Sequence, residues 1–132
     1  MPGKDAPHAE GRDIAIRAAR AAAAKQAVDV TILDVHDLIV ITDYFVIASG
    51  ETDRQVKTIL EEVERAVRDL GEKPIRREGD ADSRWVLLDY IDVVVHVFAR
   101  EEREYYDLER LWRDAPRLRW NGSEQAAAGS LD

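Results

Sequence analysis

Apolar positions recur along this chain with two periods, and the switches between them mark out its elements. From Asp13 the pattern is helical: Asp13 is a candidate N-cap, and the alanine-rich run to Ala27 has the highest intrinsic helix propensity. Ile14, Ala18, Ala21 and Ala22 share one face. Their side chains are small, so the helix is expected to lie close against something flat, a sheet. Residues 28–35 switch to a two-residue period, Val28, Val30 and Ile32 alternating with Asp29, Thr31 and Leu33, and read as a strand. Asp34, His36 and Asp37 break it. The apolar run 38–41 reads as a short edge strand or a buried turn, and 44–48 as a second strand that runs into Ser49 and Gly50.

The strongest pattern follows. Thr52 and Gln55 have the spacing of a capping box, in which each side chain satisfies a free backbone N–H at a helix start. Val56, Ile59, Leu60, Val63, Val67 and Leu70 then recur at three- and four-residue steps, Gly71 supplies a left-handed end, and Pro74 forbids resumption. Strand, turn, amphipathic helix and strand imply a βαβ crossover. Residues 73–77 read as a short strand and 78–83 as a polar loop. Residues 85–88 and 93–98 read as two strands whose short connection implies an antiparallel hairpin. A last helix over 101–112 is expected to turn Tyr105, Leu108, Leu111 and Trp112 toward the sheet, and Pro116 ends it. The whole reads as a single α/β domain over 11–116, a mixed β-sheet with flanking helices. Residues 1–10 form a flexible arm and 117–132 a flexible tail.

Composition narrows the class. With 45% hydrophobic and 35% charged residues, the 132-residue chain is expected to fold and to bury a real core. Its longest apolar runs, such as 21–24 and 93–95, fall far short of the ~20 residues of a bilayer span, so no membrane partner is expected. The first seven residues show no signal-peptide pattern, and the absence of cysteine removes disulfides, thiolate metal sites and thiol nucleophiles. A cytoplasmic location is expected. The net charge of −8 argues against a grip on DNA or RNA through phosphates. It suits solubility and equally suits a basic protein partner.

Candidate chemistry is sparse. Asp34, Asp37, Asp43, Asp89 and Asp92 lie at strand ends, where metal ligands and acid–base groups often sit, and His96 lies in the last strand. Strand-end aspartates more commonly terminate strands, and residues three apart such as Asp89 and Asp92 point to opposite faces unless a tight turn joins them. His96 is expected to face opposite Val95 and Val97, hydrogen-bonded to a neighbour. Ser49 and Gly50 lack a phosphate-binding glycine loop, and Glu51 and Asp53 would repel phosphate. No catalytic residue, metal site or cofactor is assigned. Trp85 stands apart. With Leu87 and Asp89 it faces away from Val86 and Leu88, which read as core. Trp85 is either core itself or, with Leu87, an exposed anchor rimmed by Arg84, Asp89 and Arg77, the usual make-up of a binding hot spot.

In order and spacing these pieces resemble the Iojap family, the bacterial ribosomal silencing factor S and its organellar relatives. The matching residues are Asp43-Tyr44-Phe45-Val46-Ile47-Ala48-Ser49-Gly50, Gln55, Glu78-Gly79, Trp85-Val86-Leu87-Leu88-Asp89-Tyr90, Asp92-Val93-Val94-Val95-His96-Val97-Phe98 and Tyr105-Tyr106-Asp107-Leu108-Glu109-Arg110-Leu111-Trp112. The resemblance implies a nucleotidyltransferase-like topology without the enzyme's activity. That chemistry wants two carboxylates one residue apart on a strand after a Gly-Ser turn, and here Ser49 precedes Gly50 with no such pair following. It implies a factor that binds the large ribosomal subunit through its protein fourteen on the intersubunit face, blocks the small subunit sterically, and represses translation under nutrient limitation or in stationary phase. The contact residues it implies are Arg77, Glu78, Trp85, Leu87, Asp89 and Tyr90, and a homodimer is compatible with it. Two other readings stay open: a large-subunit assembly factor, and a metal-dependent nucleotidyltransferase-like enzyme built on Asp89, Asp92 and His96.

Overall fold

Both long amphipathic patterns become helices, and both lie on the same side of one sheet. A computed structural model describes residues 10–79 and 84–120. Over these the chain runs α1 (Gly11–Ala24), β1 (Val28–Asp34), β2 (Tyr44–Gly50), α2 (Asp53–Arg68), β3 (Arg76–Glu78), β4 (Trp85–Asp89), β5 (Val93–Ala99), α3 (Arg100–Tyr106) and α4 (Leu108–Leu111). The strands lie in the order β1-β2-β5-β4-β3. Only β2 and β5 pair in parallel, the other neighbours being antiparallel, so the sheet is mixed as expected. The crossover through α2 carries the chain to the far edge, and the β3-β4-β5 meander returns it beside β2.

Small side chains let α1 sit low on the sheet: Ile14, Ala15, Ala18, Ala19, Ala21 and Ala22 are all buried. Asp13 is not its N-cap. The helix starts three residues earlier, with Glu10 at the cap, and Asp13 lies in the first turn, where a carboxylate favours the positive end of the helix dipole. In α2 the Gln55 backbone N–H donates to Thr52 Oγ1 at 3.1 Å, while Gln55 Oε1 accepts from the Glu51 N–H at 2.6 Å, one residue beyond the capping-box partner. Gln55 Nε2 also donates to the carbonyls of Lys25 and Gln26, so one side chain fixes the start of α2 against the end of α1. Val56, Ile59, Leu60, Val63 and Val67 are buried in the main core between helices and sheet.

The opposite face is covered too, by shorter elements. Leu33, Val35, Ile47, Phe98 and Ala115 are buried there, with Ile39, Phe45, Trp85, Leu108 and Trp112 packed around them. Leu33 thus alternates with Ile32 as expected, and the face it takes is core as well. The last helix breaks at Asp107, whose φ of +50° ends α3 before α4 begins. The break changes which residues face the sheet: Leu108 and Trp112 pack inward, whereas Tyr105 and Leu111 are exposed. Arg103 holds this region down, donating from Nη1 to the Val28 carbonyl (3.0 Å) and Ser49 Oγ (3.2 Å), and from Nη2 to Glu109.

Two further expectations change. Residues 38–41 form neither strand nor buried turn; the Leu38 and Ile39 N–H groups both donate to the Val35 carbonyl, and the tight reversal leaves Leu38, Val40 and Ile41 exposed. The ordered chain also continues past Pro116. Arg117 bridges Leu33, the Leu118 N–H donates to the Ile32 carbonyl at 2.9 Å, and Trp120 is buried with Nε1 donating to the Val30 carbonyl. Leu118 and Trp120 alternate inward along the edge of β1, so residues 117–120 are part of the packed body rather than of the tail. The first nine residues, residues 121–132 and part of the 78–83 loop lie outside the described residues.

Candidate docking surface

The two-residue period of β4 separates its side chains as expected: Val86 and Leu88 are fully buried among the helices, and Trp85, Leu87 and Asp89 are half-buried on the other face. Strand register decides who joins them, because directly paired residues share a face. Arg76 pairs with Asp89 and Glu78 with Leu87, so both lie on the Trp85 face. Arg77 pairs with Leu88 and lies on the helix face, where it meets Glu64 on α2 at 2.9 Å. Arg76 takes the place expected of it, 3.2 Å from Asp89 and 3.1 Å from Glu78. Tyr90 is also turned away. It is buried in the main core, and that burial pushes its phenol well above the ordinary range. Of the six residues implied as contacts, Glu78, Trp85, Leu87 and Asp89 come together, while Arg77 and Tyr90 do not join them.

Trp85 sits in an aromatic cluster assembled from four elements. It stacks on Phe98 (ring centroids 4.9 Å apart, 25° between planes) and leans on Tyr106 of α3 (4.6 Å, 45°). Its indole N–H donates to His96 Nδ1 at 3.2 Å. His96 is met edge-on by Phe45 (5.0 Å, 88°), and Phe45 by Trp112 (5.6 Å, 72°). Beyond Tyr106, Tyr105 stands exposed, edge-on to it at 5.1 Å. Trp85 thus resolves the two alternatives by joining them, with one side on the cluster and part of its surface open. Sequence reasoning missed Arg76, Phe45 and Tyr106. The available signal for Arg76 was strand alternation: adjacent to Arg77 in the same short strand, it faces the opposite side.

His96 has the neighbour expected of it. Burial pushes its pKa down to about 4, so the ring is neutral near pH 7. Because Nδ1 accepts from Trp85, the ring proton sits on Nε2, and that buried atom has no partner among the described residues. The aspartates do structural work. Asp89 Oδ1 accepts the Ile91 N–H at 2.9 Å inside the β4–β5 turn, and its other oxygen meets Arg76. Asp34 and Asp37 flank His36 at 2.5 and 3.1 Å and push its pKa up, the Asp34 hydrogen bond first. Arg84 ties the start of β4 to Glu102, Glu101 and Asp53 at 2.9, 3.0 and 3.4 Å. Among the described residues no group of three or more histidines and carboxylates is placed to hold a metal ion, and no helix is long and apolar enough to cross a membrane.

Comparison with known proteins shows the family to which this aromatic face belongs. Residues 8–131 match the family described as "Ribosomal silencing factor during starvation". The chain belongs to this family. A ribosomal silencing factor of Bacillus subtilis is 44% identical over 99 residues, which cover 75% of this chain and 84% of the relative. The chloroplastic protein Iojap of Zea mays is 34% identical over 110 residues, 81% of this chain and 46% of the longer plant protein. The fold agrees as well: a crystal structure of a Chromobacterium violaceum protein superposes with a TM-score of 0.75 at 34% identity, covering 79% of this chain and 87% of that one. The family resemblance read from the strand and helix motifs is thereby shown.

Proposed function

We propose that this protein silences translation by occupying the large ribosomal subunit. It docks on protein fourteen at the intersubunit face through the surface around Trp85, and so keeps the small subunit from joining when nutrients are limiting. The observation that carries the reading is the half-open aromatic face of β4, with Trp85 and Leu87 at its centre, in a chain that belongs to the ribosomal silencing factors. Occupancy suffices for such a role, and no bond need be made or broken. Glu78 and Asp89 share Arg76 as counter-ion, so these three residues together carry one net negative charge, a sign that favours a basic protein surface. A homodimer through the same face would compete with docking, so dimer and subunit complex would exclude each other.

Co-sedimentation with free large subunits tests the reading, together with the yield of joined ribosomes at fixed magnesium. Wild-type protein is expected to sediment with large subunits and to deplete joined ribosomes. Leu87→Glu places a second carboxylate beside Glu78 in the centre of the face and is expected to weaken binding about 30-fold or more, the scale of a hot-spot loss. Lys57→Glu, on the exposed side of α2, should bind as wild type does. Unchanged joining at saturating wild-type protein refutes the proposal.

A second reading, subunit assembly, is favoured by one observation. A mouse relative named "Mitochondrial assembly of ribosomal large subunit protein 1" is 30% identical over 91 residues, 67% of this chain and 40% of its own length. Accumulation of large-subunit precursors in a deletion strain, with joining of mature subunits unaffected by added protein, would select it.

A further inference from the structure

We propose that His96 is a positioning residue for docking: it accepts the indole N–H of Trp85 from the buried side, fixes the ring on Phe98, and leaves the partner an indole with no unmet polar group. The inference rests on the docking reading above.

The geometry begins with register. Trp85 pairs directly with Phe98 and Leu87 with His96, so His96 is the diagonal neighbour of Trp85 on one face of the sheet. Stacking on Phe98 does not by itself set which edge of the indole points inward, since a ring turned over would stack as well. The hydrogen bond to His96 Nδ1 does set it, because it is the bond the indole N–H makes among the described residues.

That bond carries a visible penalty. An acceptor at Nδ1 requires the proton on Nε2, and Nε2 is buried without a partner among the described residues. The other tautomer would set two donors against each other. Val95 and Val97, on either side in the strand, are fully buried and apolar, and an apolar residue at 96 would remove this unmet donor at the expense of the acceptor that the Trp85 indole N–H uses. A buried polar group that keeps one donor unmet while holding the central residue of a binding face is explained by what it does to that face.

What it does is set the chemistry on offer. An indole N–H left free at a half-open site stays hydrated or demands an acceptor from the partner. With that N–H satisfied internally, the exposed part of Trp85 is an apolar π surface held in one orientation. It fits an aliphatic side chain or the stem and cationic head of an arginine or lysine, and it gains nothing from a carbonyl or carboxylate. Fixing the ring beforehand also removes an ordering cost from docking.

The test uses His96→Phe, which keeps an aromatic ring but no acceptor, Trp85→Phe, which keeps the stack but no donor, and the double variant. Nitrogen-15 NMR separates the indole N–H signals of Trp85, Trp112 and Trp120 and reads their exchange with solvent. In His96→Phe the melting temperature is expected to stay near that of wild type, since the unmet Nε2–H is exchanged for an indole N–H without its acceptor. The Trp85 indole proton should exchange at least ~10-fold faster, and large-subunit complexes should dissociate about 10-fold faster, the loss of a preorganised contact. In the Trp85→Phe background His96→Phe should change dissociation little, since the bond it removes is already gone. Trp85→Phe probes the same bond from its other side if His96→Phe does not fold. An unprotected Trp85 indole in the wild type, or unchanged dissociation in His96→Phe, overturns the proposal. If wild-type protein binds no large subunits, the docking reading falls, and the exchange measurement alone decides whether His96 positions Trp85.

Discussion

Lowering the pH from about 7 to about 4 should remove roughly 3 kcal/mol of stability through His96 alone. In the unfolded chain this histidine titrates near its ordinary 6.5, whereas in the fold burial pushes its pKa down to about 4. Between those values the unfolded chain takes up a proton that the folded chain refuses, so unfolding gains as pH falls. Above 6.5 neither state is protonated and the full stability is present; below about 4 both bind the proton and the loss stops growing. The gap spans about 2.5 pH units, and at about 1.4 kcal/mol each this is roughly 3 kcal/mol. His96 is only 7% exposed, so solvent screening leaves this figure at its order of magnitude. The folded protonated form would also set a donor at Nδ1 against the indole N–H, which is why the penalty falls on the Trp85 face. Urea unfolding followed by tryptophan fluorescence at several pH values measures this. Acid affects the rest of the chain as well, so the informative quantity is wild type minus His96→Phe. That difference should shift by roughly 3 kcal/mol between about pH 7 and pH 4, against wild type at the acid end. Parallel profiles would refute the assignment of a buried neutral His96.

Removing Arg103 should have a large effect, since Arg103→Met deletes its bonds to the Val28 carbonyl and Ser49 and leaves Glu109 unpaired. A loss of about 3 kcal/mol is expected, with hydrogen exchange rising through α3 and α4, and a stability unchanged from wild type would contradict the clamp. The two left-handed glycines among the described residues should separate strain from collision. Gly71 has φ +88° with open space around it, so Gly71→Ala is expected to cost about 1 kcal/mol for backbone strain alone. Gly79 has φ +90°, and a Cβ there would press on the Trp85 carbonyl, so Gly79→Ala should cost clearly more and loosen β3 from β4. Equal costs by chemical denaturation would show that the strand approach at Gly79 is not tight.

The local elements were legible in the sequence because each is dictated by short-range rules. The 3.6-residue face of α2, its Thr52–Gln55 start and its Gly71 end needed only neighbours three or four residues away, and so did the small-residue face of α1. The alternation that sets Val86 and Leu88 against Trp85 and Leu87 is equally local, and it drew attention to Trp85 before any partner was known. The break at Asp107 was not legible, because 101–112 carries a continuous helical pattern and only packing on the second face favours Leu108 and Trp112 over Tyr105 and Leu111. Nor was the placement of 117–120, whose Leu118 and Trp120 gain burial only because the edge of β1 is there to receive them. The site shows the same division. The sequence by itself determined which face of β4 Trp85 is on; register, a contact between residues far apart in the chain, put Arg76 beside Asp89, sent Arg77 to Glu64, and brought His96 Nδ1 to the indole of Trp85.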